Sequence, residues 1–396
     1  MQSSMDQWEL PFFGDEHRAL ADALNSWCAE QVVDETDDRR ACKDWVTLLA
    51  KAGWLKYCVP SQYGGQLSDL DSRSLVIVRE ILSQYSPLAD FSFAMQGLGS
   101  GAITLGGSKE QKETYLNAVS KGEKIAAFAL SEEEAGSDVA AMGMQATPTP
   151  DGFILNGHKT WISNGGIADF YVVFCKTLPD QGSRGISAFI VDADTKGLDA
   201  SEHLQVMSPH PLAKIKFKDC LIKRSQLLGE LNQGFKLAMQ TLDIFRASVA
   251  GAAVGMSRRA LWEAKSHSAN RNMFNQKLID FQLTQASLGQ MLSLIDSAAL
   301  LTYRAAWFRD LKLNIKDLNP TQQKEKLKKY SQLAAISKFT ATENAQKVID
   351  TALQLHGGKG VLVGQKIESL YRDIRALRIY EGASEVQQLI IGRSLI

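Results

Sequence analysis

Apolar residues recur at helical spacing through the first third of the chain. In EHRALADALNSWCAEQVV, Leu20, Leu24 and Trp27 share one stripe, and DWVTLLAKAGWL and SRSLVIVREILSQY repeat it, which predicts helices from Glu16 to Ile125. VPSQYGGQ (Val59 to Gln66) breaks the pattern as a Pro and Gly loop. MQGLGSGAITLGGS (Met95 to Ser108) is rich in small residues for a helical region, which lets a neighbour approach closely. Between about Glu123 and Gln233 the pattern shortens to β-type runs, GFILNGHKTWIS, FYVVFCK, GISAFIVDAD and KIKFKDCLI, separated by PDG and NGG turns. From Gly234 three long helical stretches return, and long antiparallel helices imply a bundle. DLKLNIKDLNPTQQKEKLKK, polar and carrying Pro320, reads as an exposed connection between two of them, with no chemistry assigned.

The expected fold class is α+β and mostly α. An N-terminal α-helical domain covers residues 1–122, a central β-barrel-like domain 123–233, and a C-terminal four-helix bundle 234–396.

Composition narrows the partners more than the fold. A chain of 396 residues has room for two or three packed units and a large buried ligand. Lys plus Arg and Asp plus Glu are both 44, so no net field favours nucleic acid or an anionic membrane. Cys28, Cys42, Cys58, Cys175 and Cys220 are scattered, odd in number and without Cys-x-x-Cys spacing, which argues against a disulfide framework or a zinc cluster. The N-terminus lacks a basic segment leading into an apolar one, and no apolar run approaches the roughly 20 residues that span a bilayer. The expectation is a soluble, cytoplasmic protein with no metal, no nucleic-acid partner and no membrane insertion.

Five stretches offer chemistry, each beside a plainer reading. In LRIYEGASEVQQLIIGR, Glu381 is either a solvated acid at a helix start or a base. Its small flanks Gly382 and Ala383, with apolar Ile379 and Tyr380 before it, allow the carboxylate to face an apolar cavity that raises its pKa. SEEEAGSDV and WISNGG are either ordinary polar turns or a grip on a planar ring, with Ser131 and Ser163 as donors and Trp161 as an aromatic face. QLHGGKG closes a helix with Gly357 and Gly358 whether or not it meets a ligand. Asp243 and Arg246 form either an intrahelical ion pair or part of a phosphate fork.

Taken in order, SEEEAGSDV, HKTWISNGG, LLGELNQGFKLAMQTLDIFR, QLHGGKGV and RIYEGASEVQQLIIGR resemble the acyl-CoA dehydrogenase family over essentially the whole chain. The resemblance implies FAD as cofactor, an acyl-CoA substrate oxidised to the trans-2-enoyl thioester, an electron-transfer flavoprotein as acceptor, and a homotetramer. It puts Glu381 at the position of the base that removes the α-proton, with its own amide helping to bind the thioester carbonyl. Some members carry the base just before the arginine of LDxxR, where this chain has Phe245, which cannot take a proton.

For the flavin, the resemblance implies Phe128, Leu130, Ser131, Gly136 and Ser137 in one loop and Trp161, Ile162 and Ser163 in another. For the adenine-side phosphates, across a subunit boundary, it implies Arg271, Phe274, Phe281 and Gln282, then Gln354, Leu355, Gly357 and Gly358. Ala383 and Glu385 stand near the FAD where the family often has Thr and Gln. Ser137, Asp243, Arg246, Tyr380, Gly382 and Arg393 are the implied substrate contacts.

Gly97, Gly99, Ser100 and Gly101 fall where the family lines its acyl pocket. They either leave room for a branched, alicyclic or aryl-substituted acyl group or merely permit tight helix packing. This chain departs from the family with Glu133 and Glu134 in place of Pro-Gly, with Asn275 in place of Gly, and with a short MSPHPLAKIKFKDCLI segment. An acyl-CoA oxidase, a dehydrogenase of carrier-protein-bound acyl groups, and a catalytically silent CoA-binding protein are the rival readings.

Overall fold

The computed structural model describes residues 5–313 and 318–396. The polar stretch read as a connection lies partly outside them, at 314–317. Among the described residues, helices α1 (Asp15–Glu30), α2 (Asp38–Lys51), α3 (Ser72–Tyr85), α4 (Pro87–Gly106) and α5 (Lys109–Ser120) come first. Strands β1 (Ala126–Ala129), β2 (Gln145–Pro148), β3 (Gly152–Ser163), β4 (Phe170–Lys176), β5 (Ile186–Asp192), β6 (Leu198–His203), β7 (Leu212–Lys223) and β8 (Leu227–Leu228) follow. Then come α6 (Gly234–Asn270), a hairpin of β9 (Asn272–Met273) and β10 (Gln276–Lys277), α7 (Gln282–Trp307), α8 (Pro320–His356), α9 (Lys366–Leu377) and α10 (Ser384–Arg393).

These elements form two compact units. One gathers the described residues up to Val32, Asp71–Asp90 and Asp243–Ile396; the other gathers Val33–Leu70 and Phe91–Leu242.

The second unit is built on one sheet in the order β6-β7-β3-β2-β4-β5-β8, with β1 parallel to β4. β4 and β5 are buried almost throughout, as continuous apolar runs require. The sheet is open, which corrects the expected barrel-like closure. Its edge strands explain why: β6 is polar and mostly exposed, and β8 has only two residues, so neither offers a long apolar edge for pairing. β3 pairs with β7 through two register shifts, the second between Lys159 and Ile162. That bulge re-aims Trp161.

In the helical unit, α6 lies against α3 with almost no side chain between them. A Cβ on Gly255 would stand 2.0 Å from the Glu80 carbonyl oxygen, so only glycine fits. Buried Glu80 ties three helices together, accepting from Arg258 Nε at 2.8 Å and from the Tyr303 hydroxyl at 2.9 Å.

Part of the expected connection is helix. Pro320 is the first residue of α8, and Asn319 caps it in a reciprocal box with Gln322. Proline at that position starts a helix, because its missing N–H would be unpaired there anyway. Asp310, at the other end of the stretch, accepts the backbone N–H of Ser72 at 2.8 Å and of Arg73 at 2.9 Å, closing the start of α3. All five cysteines are buried free thiols, and no described helix is long and apolar enough to cross a membrane.

Candidate active site

α9 ends at Leu377 and α10 begins at Ser384, and the six residues between them carry Glu381. Glu381 has φ +53 and Gly382 φ +94, two successive left-handed residues. A glutamate rarely adopts that conformation, and such strain persists only where neighbours enforce it. α8 supplies the enforcement. Lys338 Nζ donates to the Gly382 carbonyl at 2.7 Å, and Glu343 accepts from Arg378 Nε at 2.7 Å and from the Ser384 hydroxyl at 2.6 Å. Gln387 Nε2, from α10, donates to the same Gly382 carbonyl at 2.9 Å.

The turn aims the Glu381 side chain inward. The residue as a whole is half-buried, yet both carboxylate oxygens are sealed from solvent and have no hydrogen-bond partner among the described residues. Burial pushes its pKa up; Arg79, Lys338 and Arg246 pull it back, and Asp90 adds to the rise. Arg79 is itself fully buried, forked onto Asp90 at 2.8 and 3.0 Å and donating to the Ser248 hydroxyl at 3.1 Å, with the Tyr380 hydroxyl also within its reach. Arg246 pairs with Asp243 one turn earlier in α6, as the intrahelical reading expected. Its Nε is nevertheless buried, with no partner among the described residues. Among the described residues, a sealed carboxylate and a buried guanidinium nitrogen both lack partners, which is the state that calls for an explanation in a folded protein. Phe245 is buried, so the position before Arg246 offers no acid or base.

In the sheet unit the two polar loops also show strain and order. Trp161 has φ +57 inside β3 and exposes 56 % of its surface, an unusual state for a tryptophan. Ser131 and Ser163 are half-buried, Leu130 and Ile162 are buried, and Gly136 and Ser137 are exposed. Glu132, the residue after Ser131, is buried and anchors the first loop. It accepts from the Gly143 amide at 2.6 Å and from Lys159 Nζ at 2.7 Å, while Lys159 also donates to the Leu130 carbonyl at 2.9 Å. The two departures from the family pattern face solvent: Glu133 pairs with Lys214 at 3.1 Å, and Glu134 is exposed. Gly99 is explained by packing, since a Cβ there would stand 2.6 Å from Ala126 Cβ and 2.9 Å from the Ala127 nitrogen.

At the far end of the helical unit, His267 of α6 and His356 of α8 stack with ring centroids 4.4 Å apart. The contact brings together the C-termini of the two helices that precede Arg271 and Gly357–Gly358. Arg271, Phe274, Gln282, Gln354, Gly357 and Gly358 are all exposed, and Phe281 and Leu355 half-buried. Phe274 and Asn275 have φ +49 and +62, a two-residue turn between β9 and β10, so Asn275 serves where the family has glycine.

Comparison with known sequences matches the descriptions "Acyl-CoA dehydrogenase, N-terminal domain" over residues 14–123, "middle domain" over 127–220 and "C-terminal domain" over 232–396. The chain belongs to the acyl-CoA dehydrogenase family. It is 36 % identical over 392 residues to a 3-(aryl)acrylate reductase of Clostridium sporogenes, covering 97 % of this chain and 100 % of that one. It is 34 % identical over 370 residues to the caffeyl-CoA reductase-Etf complex subunit CarC of Acetobacterium woodii, covering 92 % and 93 %. The solved butyryl-CoA dehydrogenase of Megasphaera elsdenii superposes with a TM-score of 0.86 at 29 % identity, covering 97 % of this chain and 98 % of that one.

This acyl-CoA dehydrogenase is therefore an oxidoreductase of the CH–CH bond with FAD as cofactor. Its residues fit that group: a displayed indole at Trp161, half-buried hydroxyls at Ser131 and Ser163, and a Gly136 whose Cβ would meet nothing within 4 Å. Exposed Arg271 offers a cation for phosphate. Of the other anticipated residues, Tyr380 and Gly382 lie in the turn that carries Glu381 and Ala383 caps α10, whereas Glu385 and Arg393 are exposed on α10.

Sequence reasoning missed Lys338, Glu343, Arg79, Asp90 and the Glu132–Lys159 pair. Lys338 left a signal: Ala334, Lys338, Ala341 and Ala345 occupy one stripe of α8, so a lysine sits where the period demands a buried residue.

Proposed function

We propose that this enzyme interconverts an aryl-substituted acyl-CoA and its trans-2-enoyl thioester, with Glu381 as the base that takes the α-proton. The observation that carries the reading is the Glu381 carboxylate: sealed, unpartnered, aimed by a left-handed turn and flanked by three cations. Burial makes it a stronger base than a solvated carboxylate, and the three cations oppose that rise. The thioester carbonyl gains negative character as the α-proton leaves, and the Glu381 amide is the donor proposed to meet it. The substrate backbone is proposed to lie against Gly382, which adds no side chain to the turn, and Arg246 with Asp243 is proposed to meet the CoA part. FAD, when bound, supplies the acceptor for the β-hydrogen as hydride, held by the loops of Phe128–Ser137 and Trp161–Ser163.

The aryl assignment rests on the two relatives named for arylacrylate and caffeyl substrates. One of them is named as part of an Etf complex, which supports an electron-transfer flavoprotein as the redox partner here. A homotetramer, with the Arg271 and Gln354–Gly358 segments serving a neighbouring subunit's FAD, completes the reading.

Anaerobic bleaching of the flavin band tests it. Wild type should bleach with 3-arylpropanoyl-CoA faster than with butyryl-, branched or alicyclic acyl-CoAs; a preference for butyryl-CoA would overturn the aryl assignment. Glu381→Gln should bind ligand and bleach roughly 10²–10⁴-fold more slowly, the usual contribution of a general base. Bleaching at the wild-type rate would exclude Glu381. Steady aerobic formation of hydrogen peroxide would instead mark an oxidase.

A further inference from the structure

The ammonium group of Lys338 is an anomaly. The residue is wholly buried in α8, with one hydrogen bond from Nζ, to the Gly382 carbonyl at 2.7 Å. An ammonium has three protons to place, and burial with one neutral acceptor is unfavourable unless an opposite charge stands close. Burial pushes it down to about 8, and Glu381 is the group that most opposes that fall, ahead of Glu343 and Glu385, while Arg246 reinforces it. Arg79 of α3, Asp90 of α4 and Arg246 of α6 face Glu381 from the other helices. Arg79 is committed to Asp90, and Arg246 to Asp243. Lys338 has no carboxylate ion-pair partner among the described residues.

We propose that Lys338 is a positioning residue for the base: its ammonium pins the Gly382 carbonyl, which fixes the left-handed Glu381–Gly382 turn, and sets an uncommitted positive charge beside the Glu381 carboxylate. The inference rests on the assignment of Glu381 as base. A purely stabilising role fits poorly, because a methionine of similar length would fill the same space without desolvating a charge. Lys338 is kept where an apolar residue would pack more favourably, which places its value in the reaction.

The experiment compares holoenzyme of wild type, Lys338→Met, Lys338→Arg and Glu381→Gln by the pH profile of kcat/KM with an acyl-CoA and by thermal melting. Lys338→Met should move the acid limb up by about one pH unit or more, the effect of removing a close opposite charge, and lower the rate below the limb at least tenfold. Its melting temperature should equal or exceed that of wild type. Lys338→Arg should keep the limb within a few tenths of a unit while kcat falls, because charge remains and the reach to Gly382 changes. A Lys338→Met limb at the wild-type position, or a melting loss with a uniform rate drop, overturns the proposal. If Lys338→Met does not accumulate as folded protein, Lys338→Arg decides: a moved limb or an unchanged kcat overturns it. Glu381→Gln separates the two claims, since wild-type bleaching in that variant removes the base itself, whereas its inactivity beside an unmoved Lys338→Met limb removes only Lys338.

Discussion

At the scale of single residues, the proposed chemistry depends on a carboxylate placed where it is least comfortable. The pKa of Glu381 is raised by burial, and the sign of its effect on stability follows. Below the unfolded value near 4.5 both states are protonated; as pH rises, the unfolded chain releases its proton first, so stability falls until the folded pKa has been passed. Glu381→Gln should therefore melt above wild type at pH 8, and the gap should close towards pH 4.5. A constant gap across that range would mean the side chain's charge is not what destabilises the fold. The neighbouring glycine is equally exacting. A Cβ on Gly382, at φ +94, would stand 2.5 Å from Gln387 Nε2, so Gly382→Ala should cost roughly 1 kcal/mol or more in denaturant unfolding and slow bleaching through a shifted carboxylate. The glutamate's identity and small neighbours were readable in RIYEGAS. Its left-handed backbone was not, because a non-glycine residue at positive φ is imposed by partners distant in sequence, here Lys338 on α8.

At the scale of elements, buried ion pairs organise what the apolar pattern leaves loose. The loop after β1 is held by Glu132, which Lys159 on β3 meets beneath the surface. Burial lowers the Lys159 pKa and the Glu132 charge raises it, so neither partner is suited to standing alone. Lys159→Met should destabilise by about 3–5 kcal/mol, because it leaves a buried carboxylate unpaired, and adding Glu132→Gln should restore much of the loss. Equal stability of single and double variants in a denaturant titration would sink this account. Element types were legible wherever the period ran long, as in FYVVFCK and QLAAISKFTATENA. Pro320 misled: proline breaks a helix interior yet starts a helix, and only the Asn319–Gln322 cap distinguishes the two. Sheet closure was likewise out of reach, since it depends on whether β6 and β8 can pair rather than on either strand's own pattern.

At the scale of the whole molecule, the chain displays apolar and polar groups that a single copy leaves uncovered. Phe274 exposes 82 % of its surface and Leu283 84 %, flanking Gln282 and close in sequence to Arg271. In the tetramer proposed here, these side chains pack against another subunit beside its FAD. Phe274→Ser with Leu283→Asp should then lower the mass seen by light scattering from four chains to fewer, and reduce the ratio of flavin to protein absorbance in the same fractions. A variant that stays tetrameric and fully yellow would move the interface elsewhere.

By itself the sequence determined the order of helices, strands and helices, the family, and the candidate base, because periodicity, turn chemistry and short motifs are local and survive in one dimension. It also marked Arg246 and the loops around Ser131 and Trp161. The tertiary structure decided what surrounds that candidate base. Arg79, Asp90, Arg246 and Lys338 come to Glu381 from α3, α4, α6 and α8, from parts of the chain far apart in sequence. Only folding brings such charges within range of one carboxylate, and removing them from water is what makes their mutual influence strong.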